Sequence, residues 1–123
     1  MDPTQWDNNQ PIYRQLRDRM AALILEGVFK EGDVLPSVRH VASEFQLNPL
    51  TVLKSYQQLV EEQLVEKRRG RGMYVSTGAL AALRSHERRR FLESEWPKVC
   101  ATILRLGLSF DELPRASRGT DDE

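Results

Sequence analysis

The chain has 123 residues, of which 40% are hydrophobic and 29% charged, and its 18 basic and 18 acidic residues give a formal net charge of zero. This size and composition are typical of a globular protein with one compact domain and a small appendage. No segment approaches the roughly 20 apolar residues that cross a bilayer, and the first residues lack the basic and apolar parts of a signal peptide. We therefore expect a cytoplasmic protein without a membrane partner.

Few residues suit catalysis or metal binding. The single cysteine, Cys100, excludes an internal disulfide, and His40 and His86 have no metal-ligand spacing. Neither histidine belongs to a catalytic motif, and the glycines at 70 and 72 do not form a phosphate-binding loop before a helix. We predict no cofactor, no metal and no enzymatic activity.

The N-terminal part predicts an arm and a helix. Residues 1–10 are polar and contain Trp6 as their only anchor, so they are interpreted as an arm. Apolar residues then recur at helical spacing from Tyr13 to Ile24. Pro11 fits the first turn of this helix and Gly27 the position just beyond its end.

Two further helices follow at close range. Residues 36–45 predict a short helix with apolar residues on one face. After a tight polar turn, Asn48 as N-cap and Pro49 as first residue predict a third helix that runs to about Gln63. Two helices joined by a short turn are the arrangement that places the second helix in the major groove of DNA.

Two strand-like runs, 64–67 and 73–75, flank the basic loop 68–72. The glycines of this loop allow the positive backbone angles of a tight hairpin, which predicts a wing. Segment 64–90 contains eight basic and two acidic residues, so the neutral total charge does not argue against phosphate binding.

The pattern as a whole predicts a mostly α fold of the α+β type: a winged helix-turn-helix with a two-stranded β-hairpin wing, followed by a small helical dimerisation region. The predicted parts are the arm 1–10, the DNA-binding domain 11–76, the helical dimerisation region 77–114 and a disordered polar tail 115–123.

The residues predicted to bind DNA are of three kinds: those that begin the second helix, those on the exposed N-terminal face of the third helix, and those of the wing loop. Helix starts and arginines bind phosphate, whereas amide, hydroxyl and ammonium groups hydrogen-bond base edges. The predicted set is Ser37, Arg39, Asn48, Pro49, Leu50, Thr51, Lys54, Arg68, Arg69, Gly70, Arg71 and Gly72. Taken singly, Asn48 as a mere cap and Lys54 as a solvated charge are alternatives that stay open.

An apolar stripe in the last helices predicts self-association, because a helical appendage this short cannot bury the stripe alone. The predicted dimerisation residues are Leu83, Phe91, Trp96, Val99, Cys100, Ile103 and Leu104.

Four motifs, in this order and spacing, carry a resemblance to a known family. They are Pro11-Ile12-Tyr13, Gly32-Asp33-Val34-Leu35-Pro36-Ser37-Val38-Arg39, Leu47-Asn48-Pro49-Leu50-Thr51-Val52 and Gly70-Arg71-Gly72-Met73-Tyr74-Val75. With these motifs the chain resembles the GntR family of bacterial transcription regulators. Its short helical remainder is similar to the YtrA subfamily, whose C-terminal part is a small helical dimerisation region.

The resemblance implies a homodimer on a palindromic operator in double-stranded DNA, usually a repressor and often one of transporter genes. By the family's motif, the DNA contacts would include Arg39, Asn48, Thr51, Lys54, Arg69 and Gly70. Leu50 departs from the polar residue, often Asn, expected at its position. An unidentified small-molecule effector near Phe91 or Trp96 is left open.

The alternative is a winged-helix module that binds protein instead of DNA. Such a module would replace the polar residues of the reading face by apolar or acidic ones and would lose the wing arginines. Leu50 alone points in that direction.

Overall fold

The computed structural model describes residues 6–121, which form two compact units, the first ending at Arg84 and the second beginning at Ser85. The elements in chain order are α1 (Ile12–Leu25), α2 (Val38–Phe45), α3 (Pro49–Glu61), β1 (Val65–Arg68), β2 (Gly72–Val75), α4 (Ala79–Arg90), a π-helical turn (Phe91–Glu95), α5 (Trp96–Arg105) and α6 (Leu113–Asp121). The predicted mostly helical fold with a two-stranded antiparallel sheet is confirmed. Between residues 6 and 121, no helix has both the length and the apolar character of a membrane span.

The first unit is built on the packing of α1 against α3. From α1, Leu16, Met20 and Ile24 are buried, each one turn from the next. From α3, Val52 and Leu59 are completely buried. Each such side chain contributes about 1.5–3 kcal/mol by leaving water, so this core fixes the position of α3 in the unit.

A short turn joins α2 to α3. Gln46 has a left-handed φ of 54°, which is uncommon for a residue with a Cβ atom. This conformation lets the N–H of Leu47 donate to the carbonyl of Ala42 over 2.9 Å and so ends α2. The half-buried Leu47 packs against the core, and the chain enters α3 two residues later.

The end of α3 differs from the prediction. The helix ends at Glu61, because Gln63 has a left-handed φ of 62°, and its side chain is exposed, not on the buried face. The N–H of Leu64 then donates to the carbonyl of Leu59 over 3.0 Å. Ser55, which the sequence did not suggest as a core residue, is completely buried on the inner face.

The wing is the antiparallel hairpin of β1 and β2, with Val65 opposite Val75 and Arg68 opposite Gly72. Gly70 (φ 74°) lies in its turn, where a positive φ favours glycine. The extended segment before α2 lies beside β2, because the N–H of Leu35 donates to the carbonyl of Met73 over 2.8 Å. This contact ties the wing to the helix-turn-helix.

The first half of α4 belongs to the first unit, which extends beyond residue 76, where the sequence analysis placed the boundary, to Arg84. Ala79 and Leu83 are buried in the core of that unit. The carboxylate of Glu31 accepts hydrogen bonds from the N–H groups of Gly78 (3.0 Å) and Leu80 (3.2 Å) at the start of α4. A carboxylate at a helix N-terminus satisfies free N–H groups and complements the helix dipole.

The described part of the predicted N-terminal arm is folded, not free. Trp6 packs edge-on against Phe45, with ring centroids 6.1 Å apart, and the guanidinium of Arg19 lies 4.1 Å from the centroid of the Trp6 ring. The side-chain amide of Gln15 donates to the carbonyls of Asp7 (2.6 Å) and Gln10 (2.9 Å). Residues 1–5 of the predicted arm lie outside the described residues.

The second unit contains the π-helical turn, α5 and α6. The N–H of Ser109 donates to the carboxylate of Glu112 (2.7 Å), and the hydroxyl of Ser109 accepts from the N–H of Asp111 (3.1 Å). After this turn α6 continues to Asp121, so the prediction of a disordered tail from residue 115 is corrected as far as residue 121. The helix begins at Leu113, and its proline lies in the first turn, where a missing N–H costs little. Residues 122 and 123 lie outside the described part.

Candidate nucleic-acid interface

The start of α2 is the first component of the candidate interface. Ser37 is the N-cap, and its hydroxyl accepts a hydrogen bond from the N–H of His40 over 3.1 Å. This bond occupies one of the free N–H groups of the helix and leaves the others for an anion. Arg39 in the first turn is exposed, and among residues 6–121 no hydrogen bond or ion pair holds its guanidinium. These groups suit contact with a phosphate.

The N-terminus of α3 is the second component. Asn48 is the N-cap, as predicted, and its side-chain oxygen accepts from the N–H of Leu50 over 2.9 Å. Asn48 therefore caps α3. Its exposed amide nitrogen still has two N–H groups that suit acceptors such as a purine nitrogen or a phosphate oxygen.

Three predicted residues follow on the outer face of α3. Leu50 is 71% exposed. Thr51 is half-buried, and Lys54 is exposed. The ammonium of Lys54 lies 4.1 Å from the centroid of the Tyr13 ring in α1. Lys54 is thus held by a cation–π contact, which the sequence alone did not suggest.

The wing is the third component, and the structure distinguishes its arginines. Arg68 donates to the carboxylate of Glu66 over 2.8 and 3.0 Å, and its guanidinium lies 4.2 Å from the centroid of the Tyr74 ring. The sequence carries a signal for the Glu66–Arg68 pair, because side chains two residues apart on a β-strand lie on the same face of the sheet. Arg69 and Arg71 are exposed at the tip, with no hydrogen bond or ion pair to their side chains from the described residues. Arg69 and Arg71 are therefore the wing arginines whose guanidiniums are unpaired among the described residues, whereas Arg68 is paired with Glu66.

A groove of about 470 Å³ lies between the segment that leads into α2, the side of α3 that carries Leu53 and Tyr56, and the wing. Its floor includes Val34, Leu53 and Met73, whereas Lys67 and Arg71 contribute cations. All its lining residues belong to the first unit. The groove brings the start of α2 and the base of the wing into one surface, as a joint DNA interface requires.

The second unit carries an apolar surface. Of its residues 85–117, whose exposure the structure describes, Ile103 alone is buried. Aromatic rings cluster here: Trp96 lies 6.2 Å from Phe91 and 6.1 Å from Phe110, measured between ring centroids. The exposed large apolar residues, which we call the apolar face, are Phe91, Leu92, Trp96, Val99, Leu104, Leu106, Leu108 and Phe110.

Two of the predicted dimerisation residues are corrected. Leu83 is 2% exposed within the core of the first unit, and Ile103 is 4% exposed. Neither can present its side chain to a second copy. Cys100 is half-buried. The other four predicted residues lie in the apolar face, and the sequence missed the remaining four because they lie outside the helical stripe on which the prediction relied.

Comparison with known proteins decides the family. Residues 12–75 match the family described as bacterial regulatory proteins, gntR family. This chain belongs to the GntR family. The match extends from the start of α1 to the end of β2 and so contains every residue predicted to bind DNA.

Individual GntR proteins agree with this assignment. The transcriptional repressor YtrA of Bacillus subtilis (strain 168) is 45% identical over 76 residues, which are 62% of this chain and 58% of YtrA. The chain therefore spans less than two thirds of that relative's length. The predicted resemblance to the GntR family and to YtrA is confirmed.

Two solved structures extend the comparison. A transcriptional regulator from Oenococcus oeni has a TM-score of 0.70 at 25% identity, with 98% of both chains covered. YtrA from Sulfolobus acidocaldarius, a GntR-family transcription factor, has a TM-score of 0.55 at 35% identity, with 72% of this chain and 93% of that chain covered. The winged helix-turn-helix architecture is thus shared with GntR proteins of known structure.

Proposed function

We propose that this GntR-family chain is a sequence-specific DNA-binding repressor that acts as a homodimer on a palindromic operator. The observation that carries the proposal is the groove shared by the segment that leads into α2, by α3 and by the wing, with Lys67 and Arg71 in its lining. On α2 and the wing, Arg39, Arg69 and Arg71 are exposed without a hydrogen bond or ion pair to their side chains from the described residues. Cations held in such an arrangement repel one another until an anion approaches, and a duplex backbone supplies that anion.

Each component has a distinct part in this proposal. The N-terminal residues of α3, from Asn48 to Lys54, face the base edges in the major groove, where donors, acceptors and thymine methyl groups differ between base pairs. The start of α2 and the wing tip bind phosphates and so fix the register of α3 on the duplex. Arg68 stays along the hairpin with Glu66 and orients the wing.

The apolar face supports the homodimer. Eight large apolar side chains of the second unit are exposed by 36% or more, including Leu104 (73%) and Leu106 (63%). A surface of this kind in water calls for a partner, and burying each side chain in an interface contributes about 1.5–3 kcal/mol. A second copy of the chain is the simplest partner, because most oligomers are symmetric. In such a dimer the two copies of α3 are related by a twofold axis. The matching DNA site is then an inverted repeat.

Repression follows from occupancy of an operator near a promoter. The related B. subtilis protein is named as a repressor, which supports this direction of control. Transporter genes remain the predicted targets, and the genomic position of the operator tests that prediction.

Selection of genomic fragments by the purified chain tests the function. Sheared DNA from the source genome is bound at about 0.1 M salt, recovered and sequenced, in parallel with an Arg69→Ala/Arg71→Ala variant. We expect a few loci that share an inverted repeat, and their loss with the variant. Equal recovery of all fragments by both proteins would rule out sequence-specific binding through the wing.

Protein binding is the second candidate, because Leu50 is 71% exposed at the centre of the reading face. The same selection separates the two candidates. A folded wild-type chain that recovers no duplex even at 20 mM salt would favour a protein partner on that face.

A further inference from the structure

We infer that the first turn of α1 adds a phosphate-binding cluster to the DNA interface, formed by Tyr13 and Arg14 together with Lys54 of α3. This inference rests on the proposed DNA-binding function and extends it beyond the helix-turn-helix and the wing. We call these three residues the α1 cluster.

The geometry of the α1 cluster is defined by contacts to one ring. The Lys54 ammonium lies 4.1 Å and the Arg14 guanidinium 5.9 Å from the centroid of the Tyr13 ring. Arg14 Nε donates to the Tyr13 hydroxyl over 3.2 Å. One half-buried tyrosine thus holds an arginine from α1 and a lysine from α3 on the same patch.

The donors of the α1 cluster are those that a phosphate needs. The Tyr13 hydroxyl accepts from Arg14, so its own hydrogen is left for a further acceptor. The remaining N–H groups of Arg14 and the ammonium of Lys54 lie beside it. A neutral hydroxyl and two cationic donors, a guanidinium and an ammonium, match the oxygens of a phosphodiester.

The charges around the α1 cluster are unbalanced. Two cations meet at one ring, and within residues 6–121 neither of them forms an ion pair with a carboxylate. Asp18, one turn further along α1, is paired with Arg17 at 3.0 Å. The hydrogen bond to Tyr13 and the charge of Tyr13, followed by the more distant charge of Asp18, raise the pKa of Arg14. The hydrogen bond from Arg14, together with the positive charges of Arg14 and Lys54, lowers the pKa of Tyr13, whereas slight desolvation and Glu61 oppose this. An anion is the partner that this patch lacks.

The position of the α1 cluster fits a duplex already engaged by α3. Lys54 is one turn beyond Leu50 on the outer face, and adjacent turns of a helix are about 5.4 Å apart. Leu53, its neighbour, lines the groove on the wing side of α3. Cations therefore line both flanks of the reading helix: those of the wing on one flank and those of the α1 cluster on the other.

Salt-dependent DNA binding tests the α1 cluster. The dissociation constant of the full chain for a selected operator and for an unrelated duplex is measured between 50 and 200 mM salt for the wild type, Arg14→Gln, Arg14→Lys, Tyr13→Phe and Lys30→Gln. Lys30 is the matched control, because it is an exposed cation beyond the far end of α1, a helix about 21 Å long at 1.5 Å per residue.

Loss of one phosphate contact per subunit reduces the salt slope of log K by about 0.9. For Arg14→Gln we expect a slope reduced by about this amount per bound subunit and weaker binding to both duplexes. Arg14→Lys should restore the slope, and Tyr13→Phe should weaken binding with the slope unchanged, because it removes a donor without a charge. Lys30→Gln should behave as the wild type.

The outcomes separate this inference from the function on which it rests. If the wild type binds DNA and Arg14→Gln retains both the wild-type slope and affinity, the α1 cluster does not bind phosphate. The proposed function still stands in that case. If the folded wild type binds no duplex at low salt, both fail. A loss of affinity in Arg14→Gln that Arg14→Lys does not restore would also contradict a phosphate contact made by charge.

Discussion

The hydroxyl of Tyr56, in the middle of α3, donates a 2.7 Å hydrogen bond to the carbonyl of Pro36, one residue before the N-cap of α2. The Tyr56 side chain is 1% exposed, and its hydrogen bond to Pro36 is partly buried. It links the reading helix to the segment that presents Ser37 and Arg39. This buried hydroxyl therefore helps to fix the position of α2 relative to α3.

Tyr56→Phe removes this link without changing the packed ring. We expect the free energy of unfolding to fall by about 1 kcal/mol, because the Pro36 carbonyl loses its partner. Urea unfolding at fixed protein concentration measures the change, since oligomerisation couples stability to concentration. Tyr74→Phe is the control, because no hydrogen bond to the Tyr74 hydroxyl occurs within the described residues. An equal loss in both variants would contradict a specific role of the Tyr56 bond.

Ionisation of the Tyr56 hydroxyl predicts that the free energy of unfolding depends on pH. Burial raises the pKa of Tyr56 well above its ordinary value of about 10. The folded state therefore keeps this proton at a pH where the unfolded chain releases it. The stability that comes from the neutral phenol is complete below pH 10 and declines as the pH rises above 10. The difference in unfolding free energy between the wild type and Tyr56→Phe should shrink from pH 10 upward; a constant difference between pH 9 and 11 would argue against this.

The apolar face predicts a variant that separates dimerisation from folding. Leu104→Glu places a charge in a 73% exposed position, so the protomer should fold normally while the dimer dissociates. Light scattering at micromolar concentration should give the mass of a monomer for Leu104→Glu and of a dimer for the wild type. Lys98→Glu adds a carboxylate at an exposed position of α5 that is not part of the apolar face and should leave the dimer intact. A dimeric Leu104→Glu would remove the apolar face from the interface.

The wing predicts unequal effects of its arginines on DNA binding. Arg71→Ala should weaken binding to specific and unrelated duplexes alike and reduce the salt slope by about 0.9 per bound subunit. Arg68→Ala should change the slope less, because the Arg68 guanidinium is already paired with Glu66. Titrations between 50 and 200 mM salt compare the two. Identical slopes for the two variants would show that the Glu66 pair opens when DNA binds.

Short-range features of this fold follow from its sequence. The N-caps Ser37 and Asn48, the proline that opens α3 and the glycine in the wing turn depend on residues within a few positions of one another. The apolar periodicity of α1 also predicts its buried face directly. Local chemistry therefore predicts three helices, the wing and most of the residues of the candidate interface.

Long-range contacts were not predictable in this way. Glu31 caps α4 across 47 positions, and Lys54 meets Tyr13 across the interface between α1 and α3. No periodicity encodes such pairs, because they arise when separate elements pack. The same reason explains Leu83: its place in the helical pattern shows that it is buried, but not which unit buries it.

Substitution of Leu50 should change the base that the chain prefers in its DNA site. Leu50→Asn replaces an exposed apolar side chain by one that pairs with adenine, so one position in each half-site should change its preferred base. Discrimination at that position should change by about 1–3 kcal/mol, while the salt slope stays at the wild-type value. Binding to a set of operators with single substitutions measures both quantities. Unchanged preference at every position would place Leu50 away from the bases.

We propose that a twofold homodimer binds both half-sites of its operator. This is tested most directly by changing the spacing between the half-sites. Affinity is measured for the selected operator and for a version with five base pairs inserted at its centre, which turns one half-site about half a helical turn from the other. We predict two chains per natural operator and an affinity for the inserted version close to that for a single half-site. Equal affinity for both operators, or one chain bound per site, would contradict this account.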